Sequence, residues 1–231
     1  LKKEFNYDFK STKYFAGHSL GEYSALVCAE SLYFNDALYL LHERGKAMQE
    51  AVPLGKGSMI AVLGAKIEEI KNFINDKKIN GVCEIANDNA EGQTIISGDF
   101  DSINLLQLIL KENKKKFIPL NVSAPFHCSL MKAAEQKMKE KIFSIEFRKP
   151  KFDIVSNVTS KPENNPDIIK KLLIEQICST VRWRESIINM SKENITEYIE
   201  IGPGKVLSGL IKRINKDVKI NTINNEIDIK D

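Results

Sequence analysis

The segment Tyr14-Phe15-Ala16-Gly17-His18-Ser19-Leu20-Gly21 constrains this chain more than any other stretch. Three apolar residues run into the pattern G-x-S-x-G, and a helical period follows from about Leu20 to Ala29. Strand, sharp turn and helix, in that order, form the frame that lifts a serine hydroxyl clear of the backbone at the end of a sheet. Glycines permit the tight turn. The N-terminus of the next helix offers N–H groups and a positive dipole to a developing oxyanion. The five-residue pattern alone also fits an ordinary Gly-Ser turn; its flanks are what point to a nucleophile. A turn of this kind needs a sheet with helices packed on it, so the expected class is α/β.

The rest of the chain alternates in the same way. A second helix is expected from Asn35 as N-cap, with Leu38, Leu41, Gly45, Met48 and Val52 on one face. From Ser58 the pattern reads strand (Met59 to Leu63), helix (Ile67 to Ile74), strand (Val82 to Ala86), strand (Thr94 to Ser97), helix (Ile103 to Leu110), strand (Phe117 to Val122). The order βαββαβ is the signature of a ferredoxin-like unit. It is expected as a small subdomain over 57–122, inserted into a core formed by 1–56 and 123–231. The core resumes with a helix after Ser129, a strand over Ile154 to Val158 and a helix opened by Pro166. It closes with a strand over Tyr198 to Ile201, the turn Gly202-Pro203-Gly204, a helix, and a strand over Lys219 to Ile223.

Composition narrows the functions. Hydrophobic residues at 42% and charged residues at 28% of 231 suit a folded globular chain. Thirty-four Lys and Arg against 31 Asp and Glu leave a net charge of +3, which excludes a strongly basic nucleic-acid binder. No apolar run reaches the roughly 18 residues of a spanning helix, so no membrane role is expected. Cys28, Cys83, Cys128 and Cys178 lie far apart without paired spacing, so reduced thiols are expected and no zinc site. Gly55-Lys56-Gly57-Ser58 and Gly202-Pro203-Gly204-Lys205 lack the order of a phosphate loop and read as turns.

A serine hydroxyl needs a base, usually histidine. Of three histidines, His18 lies within the turn and should point away from Ser19, and His42 reads as a surface residue beside Glu43. His127, after Ser123-Ala124-Pro125-Phe126 at the mouth of an expected strand, is the best base, although a lone histidine is also commonly structural.

From Gly17 to Leu26 the chain closely resembles the malonyl-CoA:acyl-carrier-protein transacylases of type II fatty acid synthesis. Four more stretches match in order: His42 to Gln49, Ile85 to Asn89, Pro125 to Met131 and Glu200 to Leu207. The resemblance covers nearly the whole chain from about residue 14. It implies an α/β-hydrolase-like core with a parallel sheet around the inserted unit, and a ping-pong acyl transfer. Ser19 would attack the thioester of malonyl-CoA, and His127 would take and return the proton. The main-chain carbonyl of Gln176 would orient His127, and Leu20 would supply an oxyanion-hole N–H. Arg44 would bind the malonyl carboxylate through two parallel charge-assisted donors. Phe126 would shape the acyl pocket against α-branched groups. The partner would be an acidic acyl-carrier protein, and Lys115 and Lys116 match positions proposed for its docking; a lysine run is also an ordinary solvated face. No metal or redox cofactor is implied, and a monomer is expected.

The same resemblance carries one departure. The family opens with a strand ending in a Gly-Gln-Gly turn that provides a second oxyanion donor, and no such turn stands in the 18 residues before Ser19. The chain therefore looks like a piece of a longer protein, its N-terminal part of the core missing; loss of one such donor costs about 10²–10³ in kcat. Three other readings follow: a polyketide-synthase-type acyltransferase domain, a serine esterase of the α/β-hydrolase class, and a non-catalytic carrier-binding fragment. Reduced cysteines and the Lys, Asn and Ile bias suggest a plastid-like organelle such as an apicoplast, or a bacterial cytoplasm.

Overall fold

In the computed structural model, which describes residues 9, 11–76 and 78–229, most elements fall where the apolar periods put them. Residues 1–8 and 10 of the expected core segment lie outside the described residues. Strand β1 (Tyr14–Ala16) leads into helix α1 (Gly21–Cys28), followed by α2 (Phe34–Glu50). Helix α2 is capped by Tyr33, so Asn35 sits inside its first turn and does not cap it. Its buried stripe is Ala37, Leu40, Arg44, Ala47 and Met48, and Leu38 is exposed. The expected face was therefore rotated: a stripe drawn through Leu38, Leu41 and Gly45 passes beside an arginine that belongs inside.

Strands and helices then run β2 (Gly57–Leu63), α3 (Ile67–Ile74), β3 (Cys83–Ala90), β4 (Gln93–Asp99), α4 (Phe100–Glu112) and β5 (Lys116–Pro119). The four strands hydrogen-bond in the order β3-β4-β2-β5, every pair antiparallel. Strand β2 alternates sides, as a pleated strand must. Ile60 and Val62 meet Ile70, Ile103, Leu106 and Leu110 of the two helices. Met59 and Ala61 pack on the other face with Ala86 and Ile95, against Leu120 and Phe126. The sheet is thus buried on both sides, and its second face reaches the segment that carries His127.

A 3₁₀ turn (Ser129–Met131) opens α5 (Lys132–Ser144), then come β6 (Asp153–Val155), β7 (Pro162–Glu163) and α6 (Pro166–Glu175). Asn165 caps α6 by accepting from the N–H groups of Asp167 and Ile168. The chain ends with α7 (Trp183–Lys192), β8 (Glu197–Ile201), α8 (Val206–Ile214), β9 (Lys219–Ile223) and a short 3₁₀ turn. Strand β1 pairs in parallel with β6, and β8 with β9. The core sheet is not parallel throughout, because β7 returns antiparallel along β6. The six residues between them are too few for a parallel crossover. Among the described residues the fold is α/β, with mixed sheets and eight α-helices.

Strand β6 stops at Val155, earlier than expected: Ser156 N–H donates to the Lys161 carbonyl within the turn to β7, and Asn157 N–H donates to Glu22 of α1. Helix α7 was not foreseen; its buried Trp183, Ser186, Ile187 and Met190 repeat at helical spacing but include a serine. The turn at Gly202 and Gly204 has φ values of +137° and +90°, open to glycine. It folds back so that the Glu200 carboxylate accepts from the N–H groups of Leu207 and Ser208 at the start of α8. The stretch Glu200 to Leu207 is therefore a helix cap closed by its own strand.

The four-stranded sheet is tied to the rest of the chain along β3. Glu84 accepts from Ser129 N–H (2.9 Å) and Oγ–H (2.5 Å). Ala86 and Asp88 exchange backbone bonds with Val181 (2.9 and 3.0 Å). The Asp88 carboxylate, its side chain 2% exposed, takes a two-pronged contact from Arg184 of α7 (2.7–3.1 Å). Removing one partner of such a pair leaves the other charge buried and uncompensated. Arg184→Ala should therefore lower unfolding stability by about 3 kcal/mol. Arg184→Lys should recover only part of it, as denaturant melts of the three proteins will show.

Candidate active site

The turn after β1 is built from three backbone bonds. Gly21, Glu22 and Tyr23 donate to the carbonyls of His18, Ser19 and Leu20 at 2.9, 3.1 and 3.1 Å. Ser19 has φ +52°, a left-handed conformation that non-glycine residues adopt only when the surroundings enforce it. The two glycines of the pattern do different work. A Cβ on Gly17 would lie 1.9 Å from the Gly21 carbonyl oxygen, whereas one on Gly21 would meet nothing within 4 Å. Close approach of the turn to the helix, not left-handed φ, is what Gly17 supplies.

Three segments deliver the side chains of His127, Arg44 and Gln176 to this turn. His127 follows β5 and a loop in which Pro125 rests on Gly57, and it too has a positive φ, +57°. Its Nδ1 lies 2.9 Å from the main-chain oxygen of Gln176, which can only accept. The proton is therefore on Nδ1, and Nε2 accepts from the Ser19 hydroxyl at 2.7 Å. Arg44, from the buried stripe of α2, donates through Nη2 to Ser19 Oγ (3.0 Å) and to Gln176 Oε1 (3.1 Å). Its Nε is buried without a hydrogen-bond partner, and it forms no ion pair among the described residues. Gln176 closes the end of α6, 0% exposed, and its Nε2 reaches Ser19 O (3.1 Å) and Glu22 Oε2 (2.8 Å).

Burial sets the electrostatics. It lowers His127 to about 3, helped by the Arg44 charge and opposed by the bond to Gln176. It also lowers Arg44, with Tyr23 and Glu22 opposing the shift. It raises the Glu22 carboxyl to about 7, against its bonds from Gln176 and Asn157 and the nearby Arg44. The site thus contains a neutral imidazole bonded to a hydroxyl, beside a guanidinium that lacks a carboxylate. That arrangement can deprotonate an alcohol for attack on a carbonyl while holding an anion next to it.

Ser19, His127, Gln176 and Arg44 meet in one place, and the Leu20 N–H at the helix N-terminus has no partner among the described residues. The Leu20 side chain is 57% exposed. Phe126 is half-buried between two apolar clusters. Lys115 and Lys116 are not brought to the site. They lie by β5, the edge strand three positions from β3, and Lys115 is paired with Glu69 at 2.7 Å. His18 does turn away from Ser19, donating to Asn89 Oδ1 (2.8 Å) beside Trp183. Sequence reasoning missed Glu22; it placed Asn157, with Val158, in a stretch that resembles a family segment near the site, but gave it no chemistry. Glu22 had a usable signal: an acid three residues after Ser19, on the same helical face as buried Tyr23 and Leu26.

Two measurements check this geometry. Gly17→Ala should abolish labelling of Ser19 by a serine-directed fluorophosphonate, while Gly21→Ala should fold and label like the parent. The labelling rate should stay level from pH 7 to pH 5, where an ordinary histidine would have lost its basic form. Arg44→Ala should move the acid limb to higher pH, because removing a cation lets the imidazole protonate more easily.

The family model described as "Acyl transferase domain" matches residues 11–225. The malonyl CoA-acyl carrier protein transacylase of Bacillus subtilis (strain 168) is 46% identical over 206 residues. That match spans 88% of this chain and 65% of the B. subtilis protein, a little under two-thirds of that relative's length. The crystal structure of an acyl-carrier-protein-S-malonyltransferase from Bartonella henselae superposes with a TM-score of 0.94 at 38% identity. It covers 98% of this chain and 73% of that one. A malonyl-transacylase solved with its type II PKS acyl-carrier protein gives a TM-score of 0.89 at 38% identity, covering 92% of this chain and 67% of that one. With a matched model over nearly its whole length and these relatives, the chain belongs to the acyl transferase domain family and, within it, to the malonyl CoA-acyl carrier protein transacylases.

Proposed function

We propose that this chain carries the acyl-transfer centre of a malonyl-CoA:acyl-carrier-protein transacylase feeding fatty acid elongation. The observation that carries this reading is Arg44: a buried guanidinium 3.0 Å from the nucleophile, with an unpartnered Nε and no ion-pair partner among the described residues. Buried polar groups without partners are rare. A carboxylate two bonds from a thioester carbonyl would supply the missing acceptor. An acetyl group would leave the cation unpaired.

In the first half-reaction Ser19 Oγ attacks the malonyl thioester as its proton passes to His127 Nε2. The Leu20 N–H faces the oxyanion. His127 then returns the proton to the departing CoA sulfur, leaving malonyl-serine. In the second, the phosphopantetheine thiol of the carrier gives its proton to His127 and attacks the ester, and Ser19 recovers that proton. Serine and histidine suffice for this chemistry, so the reading needs no metal or redox cofactor. The malonate also tunes the base: once paired, Arg44 no longer opposes a charge on His127, and the imidazole becomes the stronger base it needs to be.

Phe126 would line the acyl pocket and disfavour a branched α-carbon. We read β2 to β5 with α3 and α4, residues 57–122, as an inserted ferredoxin-like subdomain, supported by the strand order. We read the remainder as an α/β-hydrolase-like core. The solved complex of a related malonyl-transacylase with its carrier supports an acyl-carrier protein as partner. With Lys115 engaged by Glu69, Lys116 is the freer of the two proposed docking lysines. We place the chain, as a monomer, in a bacterial cytoplasm and not in a plastid-like organelle, because the relatives named above with an organism are bacterial.

Intact mass after brief exposure to malonyl-CoA tests the reading. A single malonyl adduct is expected, absent in Ser19→Ala and not matched by acetyl-CoA. Arg44→Ala should cut malonyl loading by about tenfold to a hundredfold, the worth of hydrogen bonds to a charged group, and leave acetyl loading nearly unchanged. No adduct on folded protein would favour the carrier-binding fragment; equal loading of both acyl groups would favour an esterase-like site.

A further inference from the structure

Asn157 touches both sides of the nucleophile turn and has no part in the reaction as written. Its Oδ1 accepts from the Ser19 N–H and its Nδ2 donates to the Gly17 carbonyl, each at 2.7 Å. The amide therefore bonds across the turn much as a neighbouring strand would, one donor and one acceptor to residues two apart. Asn157 is itself held fast. Its N–H donates to Glu22 Oε2 (3.1 Å), its carbonyl accepts from Arg182 N–H (3.0 Å), and it is buried. Gln176 Nε2 reaches the same Glu22 oxygen and also Ser19 O. Both backbone polar groups of Ser19 are thus held by side-chain amides, and Glu22 Oε2 anchors both residues, through the Asn157 backbone N–H and through Gln176 Nε2.

We propose that Asn157 is the positioning residue that keeps Ser19 in its left-handed conformation with Oγ on His127. This rests on Ser19 being the nucleophile, but not on which acyl group it carries. Without the amide, the Gly17 carbonyl and the Ser19 N–H lose their side-chain partner, and the bonds left on Ser19 O and Oγ no longer fix the N–H side of the turn against relaxation of φ to negative values. Such a change swings Oγ off the 2.7 Å line to Nε2. The task needs a planar group that donates at one end and accepts at the other. An amide does this, and so does a protonated carboxyl; an ionised carboxylate cannot donate.

That difference supplies the test. Asn157→Asp places a second carboxyl against Glu22 of α1, next to Arg182, with Arg44 and His127 beyond Ser19 and Gln176. A like charge favours its neutral form as pH falls. The readout is the rate at which an alkyl fluorophosphonate labels Ser19, followed by intact mass from pH 5 to 9, with malonyl-CoA loading run beside it. Asn157→Ala should be slower by about 100-fold at every pH, the cost of a misplaced nucleophile, with the malonyl-CoA concentration for half-maximal loading little changed. Asn157→Asp should be as slow at high pH and recover as the solution is acidified, while the parent does not speed up. The proposal is overturned if both variants label within about threefold of the parent, where tenfold is 1.4 kcal/mol. It is equally overturned if Asn157→Asp shows no acid recovery, since packing alone would then explain the loss. A parent that resists the fluorophosphonate also sinks it. A parent that labels but takes no malonyl group removes the substrate assignment and leaves this inference to be decided by the labelling rates.

Discussion

Gln176 lies at the end of α6 with no surface exposed, and each end of its side chain is engaged, together with its backbone carbonyl. That carbonyl takes the His127 Nδ1 proton, Oε1 takes one Arg44 donor, and Nε2 gives to Ser19 O and Glu22. Base, cation and nucleophile are therefore registered on one residue. The use of a carbonyl rather than a carboxylate behind the histidine matters. A buried aspartate there would stand near Arg44 and neutralise it. A neutral acceptor orients the imidazole and leaves the guanidinium charged and unsatisfied.

The same logic explains why Glu22 is kept one amide away from Arg44. Two opposite charges in direct contact would saturate each other. With Gln176 between them, Glu22 still opposes the loss of charge on Arg44, yet no carboxylate occupies the guanidinium face. The cost appears on both partners of the arrangement: burial raises Glu22 to about 7 and depresses His127 to about 3. Burial first, and the Arg44 charge second, hold the base in its neutral, proton-accepting form.

Much of this was legible in the chain and some could not be. Local periods gave the elements of the four-stranded sheet, because their alternation is set within a few residues. The nucleophile and its base stood out, since G-x-S-x-G and a histidine after an apolar strand are short-range patterns. Arg44 and Gln176 needed a resemblance, because polar residues on helices look like surface until the partner elements are known. The resemblance placed Asn157 near the site, but its role could not be read there. Its function lies in bonds to residues 138 and 140 positions away, and its own surroundings read as the end of a strand. The helix stripe through Leu38 failed for a related reason: the groups that hold Arg44 inside, Ser19 Oγ and Gln176 Oε1, lie 25 and 132 positions away.

The four-stranded sheet has a part in this chemistry although it contributes none of the reacting atoms. His127 reaches Ser19 from a loop whose conformation is fixed at both ends by that sheet. On one side Pro125 packs on Gly57 of β2, so closely that a Cβ there would lie 2.3 Å from the proline ring. On the other, Glu84 of β3 clamps the N–H and hydroxyl of Ser129. A histidine with φ +57° between two such anchors has little freedom to relax. Strand β3 also carries Asn89 to His18 and Asp88 to Arg184, so it grips the nucleophile turn and α7 as well. The distance from Ser19 Oγ to His127 Nε2 therefore depends on the contacts along β3 as well as on the shared registration by Gln176.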